Sequence, residues 1–175
     1  MSRELALRDV VPDDLAVLFE QQSDPEANYM AAFVAKDPTD AAAFTAHWAK
    51  ILADPTVIAK IILCDGKAVG SVMSYQEDGR PEVTYWIGKE YWGQGIATRA
   101  LASFLASANT TRPIYARVAK DNIGSRRVLE KCGFRMIGED QGFANARGAV
   151  IEELVLELSA GEARPAAESL LHDAS

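Results

Sequence analysis

Between Glu82 and Ala108 the apolar period of the chain changes once, and that change limits what the segment can fold into. Val83, Tyr85 and Ile87 alternate with Thr84 and Trp86, the two-residue period of a β-strand rich in branched and aromatic side chains. From Gly95 onward Ala97, Ala100, Leu101, Phe104, Leu105 and Ala108 recur at i, i+3, i+4, the mark of a helix with one apolar face. Gly93 and Gly95 stand at the junction. Two glycines at a helix entrance let the backbone turn free N–H groups outward with no Cβ in the way. Those groups, with the positive end of the helix dipole, suit phosphate oxygens. The same spacing also serves a turn that needs only permissive dihedrals. Two known phosphate loops are excluded. Gly95 is followed by Ile96 and Ala97 rather than by Lys-Ser/Thr, and no second strand ends in an acid about 20 residues on.

A second segment repeats the order strand, loop, helix, strand: ARVAKDNIGSRRVLEKCGFRMIG, Ala116 to Gly138. Ile114 to Val118 is β-like, and Asp121 or Asn122 suits the N-cap of the helix that follows. Ser125, Val128, Leu129 and Cys132 give that helix an apolar or small face. Gly133 is placed to end it as a C′ glycine, and Phe134 opens the next strand.

In this order and at this separation, the two segments resemble the GNAT superfamily of acyl-CoA-dependent N-acyltransferases. The family's acyl-CoA motif, Q/R-x-x-G-x-G/A, reads here Trp92-Gly93-Gln94-Gly95-Ile96-Ala97, with Trp92 departing at the first position. The tryptophan form is similar to the branch that contains the ribosomal-protein N-terminal acetyltransferases. A second motif, N-x-x-S-x-x-V-L-x-K-x-G-F, is met by Asn122, Ser125, Val128, Leu129, Lys131, Gly133 and Phe134.

The resemblance implies an α/β (α+β) fold: one GNAT-type domain over residues 1–158, with a mixed, mostly antiparallel sheet flanked by helices. The sheet splays between its fourth and fifth strands, Glu82 to Gly88 and Ile114 to Val118, and acetyl-CoA lies in the cleft as acyl donor. Unpaired backbone groups near Trp86, Ile87 and Gly88 would meet the pantetheine amides, and the N–H groups of Gly93, Gln94, Gly95, Ile96, Ala97 and Thr98 the pyrophosphate. Glu82 matches the position that serves as base in several family members, and it also reads as a structural acid beside Pro81. A tyrosine often precedes the glutamate of the second motif, near the CoA sulfur; here that position is Leu129, which has no proton to give. Ser125 is the replacement acid, or a small residue for helix packing. Asn122 holds a water or a pantetheine amide, or is a plain N-cap. Of Arg126 and Arg127, which can reach CoA phosphates, adjacent helical positions let only one face a given ligand.

Composition matters chiefly for what it excludes. The 175 residues suffice for one domain with a core, 49% of them apolar and 25% charged. The start, MSRELALRDV, lacks a signal-peptide apolar region, and no apolar stretch reaches membrane-span length. Cys64 and Cys132 read as reduced core residues, so the expected location is cytoplasmic, with no metal and no membrane partner. A formal charge of −7 argues against nucleic acid, and either a solvated acidic surface or an acidic acceptor groove accounts for it.

Elsewhere the pattern predicts a strand at Leu5 to Arg8, a helix opened by Pro12, breaks at Asp24-Pro25 and Asp37-Pro38, and a helix over Ala41 to Leu52. Thr56 to Cys64 and Ala68 to Tyr75 form a hairpin around Asp65-Gly66. Arg135 to Glu139 and Ile151 to Leu158 read as late strands joined by a polar stretch, Asp140 to Gly148. His47 sits on a helix that could wall an acceptor site, and residues 159–175 read as a mobile tail.

Two functions fit: an N-acetyltransferase acting on a primary amine, small molecule or protein N-terminus, or a non-catalytic acyl-CoA-binding regulatory protein. A homodimer is compatible with either. An α-amine with pKa near 8 is roughly one-tenth neutral at pH 7, a lysine-like amine only about one part in 2,500. One strand carboxylate as base matches the α-amine better.

Overall fold

The computed structural model describes residues 3–160. Its strands are β1 (Leu5–Asp9), β2 (Ile58–Cys64), β3 (Lys67–Glu77), β4 (Arg80–Ile87), β5 (Ile114–Ala119), β6 (Arg135–Ala144) and β7 (Ala149–Leu158). The α-helices are α1 (Leu15–Gln22), α2 (Pro25–Ala31), α3 (Ala41–Ala53), α4 (Ile96–Ser103) and α5 (Ile123–Lys131). One seven-stranded sheet runs β1-β2-β3-β4-β5-β7-β6, with every pairing antiparallel except β4 with β5.

That parallel contact is a single pair, Glu82 with Tyr115, whereas β3 follows β4 along its whole length and β7 does the same for β5. Beyond Glu82 the two strands separate, as the resemblance implied. Two unpaired backbone edges therefore face each other across a gap in the middle of the sheet. Unpaired N–H and C=O groups are strongly disfavoured in a buried place unless something hydrogen-bonds to them. The gap is a binding cleft by construction.

Packing holds the two halves together around it. Ile96, Leu101, Phe104 and Leu105 from the α4 side meet Val83 and Ile87 of β4, Ile114 and Ala116 of β5, and Leu154, Leu156 and Leu158 of β7 in one buried cluster. Val10, Leu18, Trp48 and Ile61 form a second cluster that seats α1 and α3. Full burial of such side chains contributes about 1.5–3 kcal/mol each. The Asp65-Gly66 turn has φ of 51° and 81°, the doubly left-handed geometry that joins two-residue hairpins.

Three local expectations are corrected. Asp24-Pro25 begins a helix rather than breaking the chain: the Asp24 carboxylate accepts from Ala27 N–H at 2.8 Å, and Pro25 sits where a helix needs no donor. Pro12 opens only a 3₁₀ turn, Pro12–Asp14, and the α-helix starts at Leu15. Asp140 to Ala144 is strand, not loop, the far half of β6. As an edge strand largely exposed to solvent, β6 needs no apolar alternation, so its polar half carried no strand period. β7 ends at Leu158, and from residue 161 the tail lies outside the described residues.

Candidate active site

The cleft between β4 and α5 holds a cavity of about 500 Å³, bordered by α2 and by the entrance of α4. Gly93, Gln94, Gly95, Ile96, Ala97 and Thr98 all line it. Gly93 and Gly95 have φ of 76° and 75°, a region that favours glycine. A Cβ at either would touch no other residue within 4 Å, so the dihedral and not crowding requires glycine, and the space beside the backbone is open. The N–H of Arg99 is bonded to Gly95 O at 3.2 Å, which leaves the N–H groups of Ile96, Ala97 and Thr98 ahead of the helical ladder. Arg127 and Lys131, one turn apart on α5, line the same cavity, while Arg126 turns away to Glu130 at 3.5 Å. Open left-handed backbone, unpaired donors and two cations fit the phosphate end of acyl-CoA.

Strand alternation decides which backbone groups of β4 reach the gap. Gly88 N–H donates to Val69 O at 2.9 Å, and the Trp86 carbonyl lies against Gly70. Both therefore turn their main chain towards β3, and Gly88 does not line the cleft. Tyr85 and Ile87, the alternate positions, face the gap. Of the three positions expected from the sequence, Gly88 falls outside the cleft, Trp86 and Ile87 line it, and Tyr85 joins them. The Ile87 carbonyl is already taken by the Trp92 indole N–H at 2.9 Å, so its N–H is the free group. Trp92, the departure from the family motif, thus ties the glycine loop to the end of β4.

A second cavity, about 450 Å³, opens on the other side of the gap between the sheet and α3. Both cavities are lined by Ala31, Tyr85, Trp86, Asn122 and Ser125, which mark where they meet. Here the Tyr85 hydroxyl lies 2.5 Å from Ser125 Oγ and donates to the Ser125 carbonyl at 3.1 Å. Burial pushes the Tyr85 phenol well above its ordinary range, with the Ser125 hydrogen bond opposing it, so the phenol keeps its proton at neutral pH. Leu129 is 1% exposed and belongs to the core. Asn122 caps α5, accepting from Ser125 N–H at 3.3 Å, and its amide donates to Met30 O at 3.2 Å.

Glu82 lies deeper, 1% exposed, and lines neither cavity. Arg117 Nε stands 3.6 Å and Arg80 Nε 3.8 Å from its carboxylate, yet neither carboxylate oxygen has a hydrogen-bond partner. Desolvation raises its pKa against the two arginines. Arg117 also reaches Glu153 at 3.0 Å and Asp140 at 3.3 Å, and it lines the second cavity with Tyr75, whose phenol burial pushes up to about 12. His47 is exposed on α3 at the edge of that cavity.

Sequence reasoning missed Tyr85 and Arg117. Tyr85 shares a face of β4 with Val83 and Ile87 and counts in the sequence only towards the strand period; its hydroxyl, a group that needs a partner when buried, is the available signal. Also missed was the strap on α2. Ala32 has φ 66° and ψ −58° with Phe33 N–H bonded to Ala31 O at 2.7 Å, a γ-turn of the strained, positive-φ kind. The β6–β7 tip holds it: Ala146 N–H donates to Ala32 O, Arg147 Nε to Tyr29 O at 2.7 Å, and the Arg147 fork grips Asp121 at 2.7 and 3.0 Å.

Among the described residues no helix is long and apolar enough to cross a membrane, and no group of three or more His, Cys, Asp or Glu is placed to hold a metal ion. Residues 4–135 match the family described as Acetyltransferase (GNAT) domain. An uncharacterised N-acetyltransferase of Bacillus licheniformis, p20, is 31% identical over an alignment of 93 positions that covers 51% of this chain and 52% of that protein. The chain thus spans about half the length of that curated relative. The structure of Mycobacterium smegmatis RimJ in complex with CoA-disulfide is similar at a TM-score of 0.80 and 24% identity, covering 97% of this chain and 88% of that one. Vibrio cholerae spermidine N-acetyltransferase, solved with CoA and spermine, is similar at 0.79 and 17%, covering 91% and 98%. These two likenesses are of fold. The family match over three-quarters of the chain is decisive: it belongs to the GNAT acetyltransferase domain family.

Proposed function

We propose that this chain moves an acetyl group from acetyl-CoA to a primary amine by direct attack, the acceptor being an α-amine of a protein, peptide or small metabolite. One observation carries this reading: a cleft suited to acyl-CoA and a separate cavity meet at the hydroxyls of Tyr85 and Ser125. Bound acetyl-CoA supplies an acetyl thioester and a thiolate leaving group.

The backbone N–H groups from Gly93 to Thr98 hold the pyrophosphate, with Arg127 and Lys131 beside it. Charge-assisted hydrogen bonds contribute roughly 1.5–3 kcal/mol apiece, against ~0.3–1 kcal/mol for the helix dipole, so the hydrogen bonds dominate. The Ile87 N–H pairs with a pantetheine amide as an added strand would.

Attack requires a neutral amine. Glu82 takes its proton through water, since a buried carboxylate without a partner on either oxygen calls for ordered water, and its raised pKa suits a base working near neutrality. As the N–C bond forms and the C–S bond breaks, Tyr85 gives its proton to the sulfur. Ser125 Oγ, 2.5 Å away, holds the phenol in place, and the proton that Glu82 took returns through water to the phenolate. Two free, buried thiols, Cys64 and Cys132, fit a reducing cytoplasm as the place of action.

The test is release of CoA thiol by the purified chain across amine classes: peptides blocked at lysine or at the N-terminus, amino-acid derivatives and polyamines. Acetyl-CoA binding with no turnover on any amine would leave a regulatory module instead. A clear preference for the free lysine peptide would overturn the α-amine assignment.

A further inference from the structure

Resting on that reading, the second cavity also defines the acceptor's shape and charge. We infer that the reacting amine is carried on an apolar or aromatic body and has no carboxylate beside it, as in a peptide N-terminus with an apolar first residue or in an arylalkylamine.

One wall of the cavity is apolar. Phe33, Phe44, Trp48, Ile51, Met73 and Tyr75 line it, and the rings are already packed: Phe44 meets Phe19 at 5.2 Å and Trp48 at 6.3 Å between centroids. Rings fixed before binding give contact area without a further ordering cost. The cavity leads from this wall to Tyr85 and Ser125, so a body seated on the aromatics presents its amine to the junction.

The charges reject a carboxylate. Among the residues lining the cavity, Arg117 alone carries a permanent positive charge, whereas Asp37, Asp40 and Glu153 are acids. Its guanidinium is already shared by Glu153, Asp140 and Glu82 at 3.0, 3.3 and 3.6 Å, three carboxylates around one cation. An amino-acid carboxylate entering here would meet net negative charge, and the one permanent cation is already paired with carboxylates. Of the acids lining it, Glu153 is paired with Arg117, while Asp37 and Asp40 accept from Thr39 and the Ala43 N–H and keep their charge.

Phenylalaninamide and phenylalanine share ring and amine and differ in the carboxylate. Specificity constants are measured with the full chain at pH 8 by thiol release and corrected for the neutral fraction of each amine. Phenylalaninamide should be preferred roughly 100-fold, because like-charge contact and an unpaired buried group both count against phenylalanine. Glu153→Gln frees a donor of Arg117, so phenylalanine should gain about tenfold while phenylalaninamide does not. Phenethylamine and a Phe-Ala peptide amide separate a small-amine from a peptide source. Equal constants for the matched pair, preference for phenylalanine, or spermidine outpacing every aromatic amine overturns the inference and leaves the enzyme reading standing. Turnover of none of these amines overturns the inference too, and calorimetry with acetyl-CoA then decides whether the enzyme reading falls with it.

Discussion

The hydroxyls of Tyr85 and Ser125 meet 2.5 Å apart although 40 positions separate them in the chain. β4 delivers the phenol from the sheet and α5 the serine from its first turn, so the contact bridges the gap where β4 and β5 have parted. A proton donor thus stands at the meeting point of the two cavities although Leu129 occupies the usual tyrosine position.

Tyr85→Phe keeps the ring in the core and removes only the hydroxyl. Turnover should fall about 100-fold, the lower range for loss of a general acid, with acetyl-CoA affinity within about twofold. Ser125→Ala should lose roughly tenfold, and the double variant no more than Tyr85→Phe, because the two act as one unit. Steady-state kinetics with calorimetry reads all three. Full turnover in Tyr85→Phe would remove the phenol from the mechanism.

Glu82→Gln keeps shape but accepts no proton, so its rate defect should be largest near pH 6 and shrink towards pH 9 as free amine accumulates. Stability moves the opposite way. A carboxyl whose folded pKa is raised contributes fully below its unfolded value and loses that contribution as pH rises through the folded value. The Gln variant should therefore melt no lower than wild type at pH 8, and any advantage should vanish in acid. Melting curves at pH 4 and 8 check this. A variant much less stable at pH 8 would make Glu82 a structural partner of Arg117.

Gly95→Glu places a side chain and a negative charge in the phosphate cradle and should abolish acetyl-CoA binding by calorimetry. Gly95→Ala separates strain from blocking: at φ 75° it costs about 1–2 kcal/mol, with a smaller loss of affinity. Undiminished binding in a folded Gly95→Glu protein would mean the cradle lies elsewhere.

Arg147→Ala cuts the strap on α2, whose residues line both cavities. The Arg147 side chain is 9% exposed, forks onto Asp121 and lies 4.0 Å over the Tyr29 ring. Its loss should destabilise by roughly 1–3 kcal/mol and raise the acceptor KM more than it lowers kcat. Thermal denaturation and initial rates test this; unchanged melting with unchanged KM would leave the strap without effect.

Most elements were legible because their causes are local. The change of period at Gly95, the Asp65-Gly66 turn and the Gly133 stop each depend on residues a few positions apart. The exceptions also have local causes. The polar half of β6 has no period because an edge strand with two wet faces needs none, and Asp24-Pro25 is ambiguous because the same pair starts a helix or breaks one. Motif residues from Gly93 to Thr98, with Asn122 and Ser125, do line the cleft, since their chemistry is written into contiguous motifs.

The strand–glycine–helix unit, the glycine motif and, through them, the family are written in contiguous residues. Which β4 backbone groups face the gap, the meeting of Tyr85 with Ser125, the enclosure of Glu82 with two arginines and the hold of the Arg147 strap on the γ-turn at Ala32 emerge only once the chain has packed. The physical reason is range. Periods, caps and turns are set by dihedrals and neighbours along the chain, whereas partners, desolvation and the direction of a backbone donor are set by whatever packs alongside from distant positions.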